Sequence, residues 1–151
     1  MTELTPHNVT VVPTETTPQG IGALLAFNFQ TDMATNVEAM EQAAHAVHTV
    51  EVTRAVRDAE TDGVEIKAGD MLGMYDGRIV AVADSPDAAL LRTLEVSPTE
   101  ALEIVTIYYG VGASEAEAQG VAAHVRDAHP GLPVEIVDGG QPHYPFVVSL
   151  E

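Results

Sequence analysis

The feature that most constrains this chain lies in its last third, where a strand pattern, a capped helix and a second strand pattern follow one another through short loops. Glu103–Tyr109 reads EIVTIYY, an apolar and β-branched run of strand length. Gly110–Ala113 is a loop. Ser114 and Glu117 have the spacing of a capping box, in which each side chain satisfies a backbone N–H of the other's residue. Ala118, Val121, Ala122 and Val125 then recur at the helical period on one face, and the helix ends near Pro130. Val134–Val137 is a second strand, GGQP a turn, and Phe146–Leu150 a closing strand. Strand, helix and strand at these loop lengths predict a βαβ unit with a parallel pair.

The rest of the 151 residues fits around that unit. Asn8–Val12 (NVTVV) is an apolar run closed by Pro13 and reads as a buried strand. Pro18 suits a first helical turn, so a short apolar helix is expected from about Gln19 to Phe27. Thr35 and Glu38 repeat the capping-box spacing, ahead of Val37, Met40, Ala44 and Val47 on one helical face. The middle is β-rich: Val50–Val56, Val64–Ile66, Met71–Tyr75 and Ile79–Ala83, separated by turn signals at Asp62-Gly63, Gly69-Asp70 and Asp76-Gly77. The Asp-Gly pair at 76–77 predicts a type I′ hairpin. Ser85 and Pro86 start a further helix through Leu94. The fold class is therefore α/β: a mixed sheet with a βαβ unit, helices packed on the sheet and a small β-meander in the middle. One domain over residues 1–151 is expected.

Charge and composition remove whole classes of function. The formal net charge is −17, and the six Lys and Arg form no run. DNA, RNA and anionic membranes bind through such residues, so none of them is expected as a partner. There is no cysteine, which removes disulfides, thiolate metal sites and thiol nucleophiles. The N-terminus has neither a basic region nor an apolar core of signal-peptide type. No apolar run approaches the ~20 residues of a membrane span, so no membrane insertion is expected and the default location is the cytoplasm.

Few residues are arranged for chemistry. No P-loop, GxGxxG, GxSxG or HExxH occurs, and no Asp-x-Asp pair is available for magnesium. No catalytic residue, metal ligand set or cofactor is assigned. His45 and His48, three apart, share a helical face in this reading but lack further ligands. Asp58, Glu60 and Asp62 in DAETDG are loosely like a calcium loop without its final Glu, and read better as a solvated hairpin turn. Two stretches are candidates for binding. In PTETTPQG, at a strand-to-helix loop, Thr14, Thr16, Gln19 and Gly20 offer hydroxyls and backbone N–H groups to an anion or a lipid head group. In DGGQPHYPF, Gly139 and Gly140 permit unusual backbone angles, two prolines stiffen the flanks, and Gln141 and Tyr144 offer polar tips for a recognition surface.

Three segments together resemble a known family: NVTVVPTETTPQGIGALLAFN from Asn8, EVTRAVRDAETDGVEIKAGDMLGMYDGRIV from Glu51, and VEIVDGGQPHYPFVVSLE at the C-terminus. In order they carry PT-x-x-x-PQG, VT-x-AVRD, GD-x-x-G-x-x-DG and GGQP-x-YP. They resemble the C-terminal region of the ATP-binding subunit of bacterial fatty acid kinase, a family also known as dihydroxyacetone kinase-like or DAK2-domain proteins. The resemblance implies a larger subunit with an N-terminal nucleotide-binding domain holding magnesium through aspartates, and a middle domain. It further implies a separate fatty-acid-binding protein that presents the acyl carboxylate for phosphorylation, the acyl phosphate feeding phospholipid synthesis. The nucleotide-binding and middle domains are absent from this sequence, so the expected role is non-catalytic.

The resulting expectation is a partner-docking module of a fatty acid kinase system. It binds the fatty-acid-binding protein and works beside a nucleotide-binding domain or subunit, with room left for a homodimer. A small-ligand domain for an anion or lipid head group, related to dihydroxyacetone kinase-like proteins, is the alternative. Arg54, Arg57 and Asp58 join the expected docking surface with Gln141 and Tyr144. Residues three apart on a strand point to opposite faces, so at most one of the two Arg faces the core, and that one needs Asp58 or Asp70 beside it. The VTRAVRD strand and the DGGQPHYP loop are expected to lie together.

Overall fold

A computed structural model describes residues 9–61, 64–98 and 102–151. They form two compact units, one up to Ala46 and one from Val47 to Glu151.

The first unit is a helical hairpin, α1 (Thr17–Leu25) and α2 (Met33–Ala46). Thr16 caps α1, its side chain accepting from the Gln19 amide, with Pro18 in the first turn as expected. The α1 face that turns inward is made of small residues, Pro18, Gly22 and Ala23. Two expectations fail here. Residues 9–12 are not a buried strand: no strand forms, and Val9 and Val11 are exposed. Asn8 lies outside the described residues. The run has β propensity but no pairing partner, and pairing is what stabilises a strand. The cap of α2 is also displaced by one turn: Asp32, not Thr35, accepts from a helical amide, with Thr35 N at 3.0 Å and Thr35 Oγ1 at 3.1 Å. Asp at this position satisfies the same orphan donors and leaves Thr35 inside the helix. Those bonds, the Thr35 amide first, hold the Asp32 carboxyl below the ordinary carboxylate range.

Among the described residues the second unit holds ten elements: β1 (His48–Arg54), β2 (Ala59–Thr61), β3 (Val64–Ile66), β4 (Met71–Tyr75), β5 (Arg78–Ala83), α3 (Pro86–Val96), β6 (Val105–Tyr109), α4 (Glu115–Ala128), β7 (Val134–Asp138) and β8 (Phe146–Leu150). Six strands form one mixed sheet in the order β5-β4-β1-β8-β6-β7. The pair β6–β7 is parallel, as the βαβ pattern predicts, and every other pair is antiparallel. The expected meander is β1, β4 and β5, but β3 is not part of it. It pairs with β2 as a separate hairpin inserted between β1 and β4. Asp62 and Gly63, expected from the sequence as a turn signal, lie outside the described residues.

Alternation along the strands sends Val50, Val52, Val105, Ile107, Phe146, Val148 and Leu150 to one face, all at 0–1% exposure. Helices α3 and α4 cover that face through Ala89, Leu90 and Leu94, and through the expected Ala118, Val121, Ala122 and Val125. Gly73 lets α3 approach β4, because a Cβ there would overlap Thr93 and stand 2.9 Å from the Ala89 carbonyl. Ser85 caps α3, and the full capping box of Ser114 and Glu117 opens α4. On the other face, Ile66 of the hairpin packs with Ala55 and Leu72 in a smaller apolar cluster. The same face carries a hydroxyl row, Thr49, Ser149 and Thr106, in register across β1, β8 and β6. At one turn Asp76 takes φ of 45° and Gly77 φ of 76°, the positive values of a type I′ hairpin. Its carboxylate ties the turn back to β1, accepting from Thr49 N at 2.8 Å and meeting His48 Nδ1 at 2.7 Å.

Candidate functional site

β1 runs antiparallel to β8, and β8 antiparallel to β6, so β1, β6 and β7 all point the same way. Their carboxyl ends share one edge of the sheet. Four connections gather there: residues 55–58 after β1, 67–70 before β4, 110–114 before α4, and 139–145 before β8. In open α/β sheets this edge is where ligands and partners are recognised. A cleft of about 390 Å³ opens between these loops, with Thr53, Arg54, Val56, Val111, His143 and Pro145 among its walls.

The 139–145 loop is built to hold a fixed shape. Gly140 has φ of 61°, a left-handed conformation that favours glycine. The Gln141 amide turns inward and donates to the Tyr108 carbonyl at 3.0 Å. It fills the space beside Gly110 and Gly139: a Cβ on Gly110 would lie 2.6 Å from Gln141 Cδ. The loop is pinned on both sides. Val111 N donates to the Gln141 carbonyl at 2.9 Å, and Thr53 Oγ1 donates to the His143 carbonyl at 3.2 Å. The expected neighbourhood of the VTRAVRD strand and the DGGQPHYP loop is thus present. Tyr144 is half-buried within the loop.

The two arginines behave differently from the expectation. Arg54 ends β1 on the helix-bearing side of the sheet, yet it is exposed, and its Nη1 donates to the Gly69 carbonyl at 3.0 Å. Arg57 lies past the strand in a bend and is also exposed. Neither Arg is buried, so neither needs a carboxylate: Asp58 accepts from Ala68 N at 2.7 Å, and Asp70 from Lys67 N at 2.8 Å. These acids fasten the base of the β2–β3 hairpin instead. Val56, 91% exposed, and Val111, 64% exposed, flank the cleft, and sequence reading assigned neither to the site. The signal was present at Val111, an apolar residue between two glycines directly after a strand.

Above the β6–β7 pair the chemistry turns acidic. Burial, then Asp138 and Glu115, raise the Tyr109 hydroxyl above its ordinary range. The edge therefore carries Arg54, Arg57 and apolar side chains together with Asp58 and Asp70 on the β1 side, and Asp138 with Glu115 on the β7 side.

The PTETTPQG candidates lie in the first unit. Pro13, Thr14, Glu15, Gln19, Ala44 and His45 line a pocket of about 350 Å³. Thr16 and Gln19 are engaged in capping, with Gln19 Oε1 accepting from Glu15 N at 2.9 Å. Gly20 N donates to the Thr16 carbonyl at 3.1 Å. Glu15 adds negative charge where an anion would sit, and no Lys or Arg lines the pocket. His45 and His48 do not share a helical face, because α2 stops at Ala46 and His48 opens β1. Among the described residues no group of three His, Asp or Glu is placed to hold a metal ion, and no helix is long and apolar enough to cross a membrane.

An α/β module, with two helices on one side of a mixed sheet and its loops gathered at the carboxyl edge, is the class that the second unit defines. Within that class the chain belongs to the FakA-like C-terminal family of fatty acid kinase, whose pattern matches residues 1–151. It is similar to protein YloV of Bacillus subtilis, at 39% identity over 96% of this chain, and to an uncharacterised protein of Staphylococcus haemolyticus, at 34% identity over 93%. The chain spans about a quarter (26%) of the length of each. Among solved structures it is similar to a DegV-family protein of Ruminococcus gnavus in a structure with vaccenic acid, with a TM-score of 0.54 at 13% identity, covering 89% of this chain and 55% of that one. A DegV-family protein of Thermus thermophilus, described for its fatty acid binding, aligns with a TM-score of 0.53 at 13% identity, over 88% and 55%. At that identity the likeness is one of fold.

Proposed function

We propose that this chain is the partner-docking module of a fatty acid kinase system and binds the fatty-acid-binding protein through the loop cluster at the carboxyl edge of its sheet. One observation carries the reading. In a chain of net charge −17, two of the six basic residues, Arg54 and Arg57, stand exposed at one strand end beside exposed Val56 and a pinned, proline-stiffened loop. Arg and aromatic anchors on a rigid frame are what interface hot spots are made of. Family membership supports the system, and the fatty acids named for the DegV-family structures support the kind of partner. The module itself is non-catalytic in this reading, since among the described residues no nucleophile, base and orienting group are set beside one another.

The test is affinity for the fatty-acid-binding protein, measured with thermal melting, for Arg54→Ala, Arg57→Ala and Tyr144→Ala. Arg57→Ala should weaken binding by about 2 kcal/mol and change stability by less than about 0.5 kcal/mol. Arg54→Ala should do the same with a small stability loss from its bond to Gly69. Wild-type affinity in all three variants would remove this edge as the docking surface. The alternative, an anion or lipid head group held at Thr14, Thr16, Gln19 and Gly20, has to overcome Glu15 in the same pocket. Saturable binding of inorganic phosphate there would revive it.

A further inference from the structure

The chain has three phenylalanines, and two of them, Phe27 and Phe29, sit in the connection between α1 and α2 rather than in a core. Phe29 is 93% exposed and Phe27 is 41% exposed, with their rings in edge-to-face contact at 4.8 Å. Leu24 and Leu25 at the end of α1 and Met33 at the start of α2 are exposed on either side of them in the chain. So many large apolar groups within one short stretch exceed the scattered exposure that ordinary surfaces show.

The tip is held, not loose. Asn36 is buried and commits its whole amide to the connection: its Oδ1 accepts from Asn28 N at 2.7 Å, and its Nδ2 lies 2.9 Å from the Asn28 carbonyl, with the Thr31 and Asp32 carbonyls at 3.3 and 3.2 Å. Asn28 Oδ1 also accepts from Gln30 N at 2.9 Å. A loop fixed this thoroughly presents its phenylalanines at low ordering cost, which is what binding requires.

Charge selects among occupants. From Met1 to Ala46 the sequence has no Lys or Arg, and its acids include Asp32 in the tip itself. An anionic bilayer would be repelled, and so would an equally acidic second copy. We propose that this hairpin tip is a docking surface for a separate protein that offers an apolar socket rimmed by lysine or arginine, with Phe29 as the inserted anchor. The proposal rests on residues of the first unit alone and does not depend on the loop cluster of the second.

The experiment uses the full chain and three probes. A fluorescent amphipathic peptide of Leu and Lys stands in for the socket, its Leu and Glu counterpart serves as the charge-reversed control, and phosphatidylcholine vesicles represent an uncharged lipid surface. The Leu/Lys peptide should bind wild type, Phe29→Ala should weaken that binding roughly tenfold or more, and Arg54→Ala should leave it unchanged. The Leu/Glu peptide should not bind. Melting curves should coincide for wild type and Phe29→Ala, because the ring is exposed. Unchanged peptide binding in Phe29→Ala would reduce the attraction to general charge and overturn the proposal. Equal binding of both peptides would remove the basic rim. Phe29-dependent capture by the vesicles, or a Phe29-dependent dimer in sedimentation equilibrium, would replace the proposed occupant with lipid or a second copy.

Discussion

Gly139 and Gly140 are adjacent, yet they are glycine for different reasons. Gly140 takes a left-handed φ, whereas Gly139 makes room: a Cβ there would overlap the Gln141 amide and stand 3.2 Å from Tyr108 Cβ. Gly139→Ala should therefore expel Gln141 from its seat on the Tyr108 carbonyl, at a cost of about 1–3 kcal/mol, visible in chemical denaturation. The sequence announces that the GGQP turn is unusual, but not which glycine serves space and which serves angle, because that depends on where Gln141 points. Glu51 makes a second residue-scale case. Half-buried on the sheet face away from α3 and α4, its carboxyl is raised by loss of solvent. A group whose pKa rises on folding contributes stability at acid pH and loses it as pH climbs through the folded value. Glu51→Gln should thus stabilise the fold at neutral pH by less than about 1 kcal/mol after solvent screening, read as a higher melting temperature. The difference should vanish below the ordinary glutamate range, and a gain that persists there would contradict the sign.

At the scale of elements, local chemistry was legible wherever the fold agreed with it. The capping box that opens α4 closes both ways: Ser114 N donates to Glu117 Oε2 at 2.7 Å, and Glu117 N to Ser114 Oγ at 3.3 Å. Ser114→Ala should cost about 1 kcal/mol in denaturant titration. Because α4 underpins the 110–114 loop, it should also loosen Val111 against Gln141. The same motif at Thr35 and Glu38 was a false reading, since Asp32 stands three residues earlier with the same capacity. Residues 9–12 have a strand's composition and none of its partners. The β2–β3 hairpin shows the converse limit. Val64–Ile66 looks like a strand of the sheet, whereas Ala59–Thr61 lies in the DAETDG stretch expected as a turn and is exposed throughout; only the pairing of β1 with β4 across the insertion reveals that the two form a hairpin of their own.

For the molecule as a whole, the α/β class and the parallel β6–β7 pair followed from periodicity, whereas the strand order did not. Nothing in Phe146–Leu150 says that it will pair with both β1 and β6; that is decided by which apolar faces must meet over α3 and α4. The loop cluster was half visible for the same reason. Two of its segments carry motifs, and Val56 and His143 lie within them, while Val111 joins them only through the topology. Membership in a fatty acid kinase family makes nucleotide binding the natural activity to test. Calorimetric titration with magnesium-ATP should give no micromolar binding to this module, since it has neither a phosphate loop nor paired magnesium-binding aspartates. Measurable affinity would return it to the catalytic apparatus.

The middle position of β8 has a consequence for biosynthesis. It is the last strand of its unit, yet it joins β5-β4-β1 on one side to β6-β7 on the other. During translation two incomplete sheets are therefore made first, each with an edge waiting for the same five residues. An exposed strand edge invites pairing with the wrong chain. The nascent protein is at greatest risk in the interval before Phe146–Leu150 leave the ribosome. A strand contributed so late, and paired with one nearly a hundred residues earlier in sequence, is a long-range contact of the kind that slows folding.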